Sequence, residues 1–316
     1  MVIGLALLAY AAGVGMLGPR LTRRLAWPER APLLAIGCYL AAVWSVIAAI
    51  ALAGLTFAVH GTVLGGGLSD LIGACLRRLR GSYATPGGTA AALLGLGLAG
   101  VILVRAVLVG EARLRAVRRE ALRHAQTARL VGRPATALGA TVLDHPHPMA
   151  YCLGGRLPTV VLTTGALRLL DPRQLAAVLA HERAHLASRH HLLMTAARVG
   201  HVVFPFVPLL READAQVALL AELHADDAAA RACDARPLAA ALVILATGGS
   251  AAPAMEAAGT DVVRRVTRLL RPAQPLRRRH RLLLRAGVIA LALSPVLLAL
   301  LPALIALALG PVRVAA

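Results

Sequence analysis

The sequence predicts a mainly α-helical membrane protein, with four transmembrane helices and a cytoplasmic α+β domain inserted between the third and the fourth. Three observations carry that prediction. Hydrophobic residues make up 58% of the 316 residues and the mean hydropathy is +0.71, too apolar for an ordinary soluble domain. Four stretches each supply about 20 nearly uncharged residues, enough to cross a hydrocarbon core of roughly 30 Å. Between the third and fourth of them the pattern changes to short β-branched runs and amphipathic helical periods.

The first stretch, residues 1–19, precedes the first arginine, Arg20. A cleaved signal peptide begins with positive charge, so a retained anchor is expected. The second and third spans are residues 32–59 and 89–109. Arg105 lies near the end of the third, where its stem can stay in lipid while the guanidinium reaches the interface. The fourth span, 285–309, contains Pro295 and Pro302 and is expected to kink; residues 310–316 form a short tail. Residues 111–284 hold 24 of the 34 arginines and residues 20–31 hold four more, which assigns both to the cytoplasm by the positive-inside rule. The N-terminus, the loop 60–88 and the tail are then outside, in a multi-pass cell-membrane protein.

A formal charge of +19 raises the question of nucleic acid. Every basic residue is Arg and none is Lys, which reads as the codon bias of a GC-rich bacterium. The arginines are scattered and aromatics total 3%, so no stacking platform for single strands exists and no direct nucleic-acid partner is expected. The partner that the charge implies is the anionic face of a lipid bilayer. Of the four cysteines, Cys38 falls in a span, Cys75 outside, and Cys152 and Cys233 in a reducing compartment; none has CxxC spacing and all four read as structural.

Residues 111–135 open as a juxtamembrane helix, with Leu114, Val117, Ala121 and Ala125 at helical spacing, and Gly132-Arg133-Pro134 ends it. The inserted domain spans 136–284. Residues 141–144, 149–153 and 158–163 read as a small antiparallel sheet, with Gly154-Gly155-Arg156 as the turn of its hairpin. His145 and His147 sit in a Pro-interrupted connection and read as turn residues rather than metal ligands. A short helix starts at 165–170. Asp171-Pro172 then supplies an N-cap and a first-turn Pro for a helix over 173–191, packed through Leu175, Val178, Leu179 and Leu186. Residues 192–210 are nearly apolar enough for a further span, but Arg198, His201, Pro205 and Pro208 interrupt them, so a buried or membrane-surface hairpin is expected. A second helix follows over 211–234.

Within the helix 173–191 stands His181-Glu182-Arg183-Ala184-His185. Imidazoles spaced i and i+4 lie about 40° apart on one helical face and can grip one metal ion, with Glu182 beside them as a base. One Zn²⁺ per chain is expected, and a hydrolytic zinc site needs three protein ligands with a position open to water. Glu222 is the candidate third ligand, alongside His181 and His185. Asp226, four residues on, is placed to hydrogen-bond a ligating imidazole. His224 projects about 200° from Glu222 around the helix and reads as structural. His190 and His191 do not fall between His181 and His185 and read the same way, and Asp227 reads as solvated.

These motifs carry a resemblance. The run PTVVLTTGALRLLDPRQLAAVLAHERAHLASRHH, 158–191, and the run VVFPFVPLLREADAQVALLAELHADDAA, 202–229, resemble the strand, active-site helix and ExxxD segment of integral-membrane gluzincin zinc metallopeptidases. Two groups share these features: the BlaR/MecR-type antirepressor peptidases and the Ste24/HtpX-type proteases. Three spans before the catalytic domain and one after it resemble the first group more closely. The resemblance implies a zincin-like domain that hydrolyses peptide bonds at the cytoplasmic membrane surface, with a protein or peptide substrate such as a transcriptional repressor. It implies that an extended substrate lies along an edge strand containing Val160, Val161 and Leu162, and that Arg265 matches a late catalytic arginine. A second copy of the chain is a further candidate partner. The sequence departs from the first group in stopping a few residues beyond Leu309, with no penicillin-binding sensor domain, and in lacking Asn before the Pro of its turn. Two other readings remain open: quality control of membrane proteins, as in the second group, and a non-catalytic zinc-binding signalling protein.

Overall fold

Helices α1 (Val2–Thr22) and α2 (Pro32–Ala58) pack along each other and against α10 (Arg278–Leu309), while α3 (Gly88–Val131) lies along α2. This computed structural model describes residues 2–22, 25, 27–58, 88–248, 259–271 and 274–309. The expected external loop 60–88, its Cys75 and the tail 310–316 lie, but for Gly88, outside the described residues. Among the described residues, four helices are long and apolar enough to cross a membrane: Val2–Thr22, Pro32–Thr56, Leu93–Val131 and Arg278–Leu301. Hydroxyl groups tie three of them together. Ser294 donates to Tyr10 at 2.6 Å, and Tyr10 donates to Ser45 at 3.0 Å.

The third span and the juxtamembrane segment form one helix, not two. α3 runs 44 residues, about 66 Å at 1.5 Å per residue. No proline interrupts it, and the Arg, Ala, Leu and Glu that follow Gly110 are strong helix formers. Glu111 with Arg115 and Glu120 with His124 add i,i+4 pairs to this extension.

Gly132 then turns the chain into β1 (Arg133–Ala135), a strand absent from the sequence-based expectation. With β2 (Ala140–Leu143), β3 (Ala150–Leu153) and β4 (Thr159–Thr163) it builds a sheet of order β1-β2-β4-β3. The sheet is mixed, not antiparallel: β2 pairs parallel with β4, through Val142 opposite Leu162, while β1–β2 and β3–β4 are antiparallel. The connection carrying His145 and His147 takes β3 to the outside, and the Gly154–Gly155 turn returns β4 between β2 and β3. β4 is buried along its whole length, as its unbroken Val160-Val161-Leu162 run suits. Val160, Val161 and Leu162 are therefore interior; the edge strand on that side is β3.

After α4 (Thr164–Leu169), Asp171 starts α5 (Pro172–Ala187) with a reciprocal capping box. Its carboxylate accepts from the Arg173 and Gln174 amides, and the Gln174 side chain accepts from the Asp171 amide. The helix expected to reach residue 191 stops at Ala187. Arg189 adopts the left-handed conformation, with φ 50°, and a new helix α6 (His190–Val203) sets off in another direction. α6 and α7 (Pro208–Ala232) form a hairpin, which answers the question left by residues 192–210. Val203, Leu209, Leu210, Ala213 and Val217 share one core with Leu7, Ile36, Val43 and Val46 of the spans. Glycines set the closeness of that packing: a Cβ on Gly15 would stand 2.9 Å from Val207 Cγ1, and one on Gly200 would collide with Val43. Arg105, expected to reach for the headgroups, donates instead to the Val202 and Val203 carbonyls that end α6. α8 (Ala235–Thr247) and α9 (Gly259–Leu270) complete the domain.

Candidate metal centre

α5 and α7 pack against each other, with Ala177 and Ala229 in one buried cluster, and this packing brings Glu222 to the two histidines of α5. His181 Nε2 and His185 Nε2 are 3.1 Å apart; Glu222 Oε2 is 3.4 Å from the first and Oε1 3.5 Å from the second. Two ligand atoms held about 2.0–2.1 Å from a tetrahedral zinc ion are about 3.3–3.4 Å apart, so these three donors have the spacing of one face of such a site. Two imidazole nitrogens and a carboxylate turned toward a common point also favour a cation between them. His181, His185 and Glu222 are thus a chemically suitable donor set for zinc.

A charged scaffold flanks the donors, with Arg265 reaching both Glu222 Oε2 and, at 3.5 Å, His181 Nε2. Asp226 is 0% exposed and lies 3.0 Å from His181 Nδ1, close enough to pair with it electrostatically although off the line of a hydrogen bond. Arg265 of α9 holds Asp226 with two hydrogen bonds and pairs with Glu222 at 2.9 Å. Sequence reasoning tied this arginine to the centre only by resemblance, and the fold places it there. Asp227, expected in solvent, pairs with Arg268 of the same helix through both carboxylate oxygens. Arg264 and Arg268 also reach Glu29, in the connection between α1 and α2.

Burial and these partners pull the acidities in opposite directions. Burial alone would lower the His181 pKa, but the adjoining carboxylates of Asp226 and Glu222 outweigh it and raise the group to about 9. Burial brings His185 down to about 4 against the pull of Glu222. Burial would raise the Glu222 carboxyl, yet His181 and Arg265 hold it below the usual range; Asp226 follows the same logic with Arg265 first. Glu182 goes the other way, raised chiefly by desolvation. It adjoins Cys152 of β3, whose thiol is likewise raised by burial.

The donors face a cleft of about 380 Å³, walled on one side by Ala150, Tyr151, Cys152 and Gly154 at the sheet edge and containing Glu182. Val160, Val161 and Leu162 do not line it. Sequence reasoning missed Cys152 and two histidines. His190 is 0% exposed, with Nδ1 2.8 Å from His185 Nδ1 and Nε2 3.0 Å from His224 Nδ1. Burial lowers both of these outer histidines, His190 to about 4. His145 and His147 stack on each other in an exposed turn, away from the centre.

Residues 111–218 match the model of peptidase family M48. The matched segment runs from α3 into α7 and includes His181, Glu182 and His185, but ends before Glu222 and Asp226. A 73-residue stretch is 34% identical to a protein named Protease HtpX homolog from Caldanaerobacter subterraneus subsp. tengcongensis, covering 22% of this chain and 23% of that protein. The match thus spans less than a quarter of that relative's length. No solved structure matches the chain.

Proposed function

We propose that the chain is a membrane-embedded zinc metalloendopeptidase that hydrolyses peptide bonds of protein substrates at the cytoplasmic membrane surface. The observation that carries this reading is the convergence of His181, His185 and Glu222 at a cleft with Glu182 beside them. The matched M48 segment supports it from the sequence side, zinc being typical of that family. Zinc held by these three residues would supply Lewis acidity to a substrate carbonyl and to a water molecule. Glu182, buried and raised in pKa, is suited to take a proton from that water and return it to the leaving amine. Asp226 orients His181, and Arg265 holds Asp226 and Glu222 in place. An extended substrate would add to β3, the edge strand among the described residues and part of the cleft wall, rather than to β4.

The orientation proposed is N-terminus outside and domain inside, on the arginine distribution. Regulatory cleavage of a transcriptional repressor is the role that the arrangement of spans favours. The alternative reading is quality control of membrane proteins; the short similarity to a protein named Protease HtpX homolog supports proteolysis without naming a substrate. Incubation of the purified protein in detergent with a repressor or with an unfolded membrane protein, with and without a chelator, tests the activity. Chelator-sensitive cleavage is expected, and cleavage indifferent to chelator contradicts the zinc assignment.

A further inference from the structure

His185 is held from behind by another histidine rather than by a carboxylate. Its Nε2 faces Glu222 and His181, so when that nitrogen offers its lone pair to a metal ion the ring proton sits on Nδ1. That N–H points at His190 Nδ1, 2.8 Å away, which must then accept. The proton of His190 is in turn confined to Nε2, where it meets His224 Nδ1 at 3.0 Å as acceptor. One choice of tautomer thus fixes the next two, with no atom left in conflict.

The backbone makes this contact by a specific departure. Were α5 to continue, His190 would stand about 140° around the axis from His185 and would miss it. The left-handed Arg189 breaks the helix and turns His190 back against His185, a conformation that a non-glycine residue adopts only at some cost. The T-shaped stacking of His185 on His190 and of His190 on His224 then runs from α5 through α6 to α7, the helix that also carries Glu222.

We infer that His190 is a positioning residue for the metal centre, fixing the tautomer and ring orientation of His185, with His224 fixing those of His190. The pair does for His185 what Asp226 does for His181, so the two ligating imidazoles are oriented by different chemistry. The inference rests on the proposed zinc site and deepens it.

Zinc affinity of the full chain in detergent, measured by competition with a chromogenic chelator, tests it alongside the visible spectrum of the cobalt form. His190→Ala is expected to weaken zinc about 10–100-fold and to shift the cobalt bands, the usual effect of losing such an outer partner. His190→Asn places an amide oxygen near the position of Nδ1 and is expected to bind nearly as tightly as the wild type. His190→Gln reaches toward His224 instead and is expected to behave like the alanine variant. Should the alanine variant fail to fold, the Asn and Gln pair, alike in polarity, decides the matter. Wild-type affinity in His190→Ala, or equal affinities in the Asn and Gln variants, overturns the inference and leaves the zinc site standing. Failure of the wild type itself to bind zinc removes the site, and the positioning role with it.

Discussion

Arg265 closes two hydrogen bonds, of 2.8 and 2.7 Å, onto the fully buried carboxylate of Asp226. α9 is thereby fastened to the helix that carries Glu222, and Asp226 is kept charged behind His181. Arg265→Ala leaves a buried carboxylate without its cation, a change that costs about 3–5 kcal/mol. A lower thermal midpoint together with weaker zinc binding is expected. Arg265→Lys keeps the charge but not the two-pronged geometry and is expected to recover only part of the loss. Melting curves of both variants, with and without zinc, check this; unchanged stability in the alanine variant contradicts it.

Glu222→Ala removes one of three donors and is expected to bring bound zinc well below one equivalent. His224→Ala touches the centre only through His190 and is expected to retain zinc with a smaller drop in affinity. Metal analysis after dialysis compares the two. The reverse order would mean that His224 is the third ligand.

Gly200 sits where α6 crosses Val43 of α2, with no room for a side chain. Val43 is β-branched and cannot swing aside. Gly200→Val is expected to destabilise the hairpin against the spans by about 1–3 kcal/mol, as overpacking does elsewhere. Gly155, in an open turn, has nothing near its Cβ position, yet its φ of 120° strains any other residue. Loss of protease resistance in Gly200→Val at the α6–α7 hairpin is the readout, and wild-type resistance argues against the packing described.

Orientation is open to a direct check. A single cysteine at exposed Arg156, in a chain whose own four cysteines are replaced, is expected to react with a membrane-impermeant thiol reagent in inverted vesicles and not in intact cells. Labelling in intact cells would invert the proposed topology.

What the sequence disclosed was local. Asp171, Pro172 and Gln174 lie within one turn, so the start of α5 follows from residue identities alone. The spacing of His181 and His185, and of Glu222 and Asp226, likewise sets which side chains share a face before any tertiary contact forms. Relations between distant segments were hidden. Val160, Val161 and Leu162 have the same β propensity at an edge as in the interior, and only the parallel pairing of β4 with β2 decides which they occupy. Arg265 stands 39 residues from Asp226, and nothing in its neighbourhood marks it apart from the other arginines of α9. His190 faces His185 because Arg189 turns left-handed, and no residue there announces such a turn as Gly or Asn would.

The most direct measurement determines zinc content and proteolysis together for the wild type, His181→Ala and Glu182→Gln, purified in the same detergent. About one zinc with cleavage is expected in the wild type, little of either in His181→Ala, and zinc without cleavage in Glu182→Gln. Full turnover by Glu182→Gln, or zinc undiminished in His181→Ala, would contradict it.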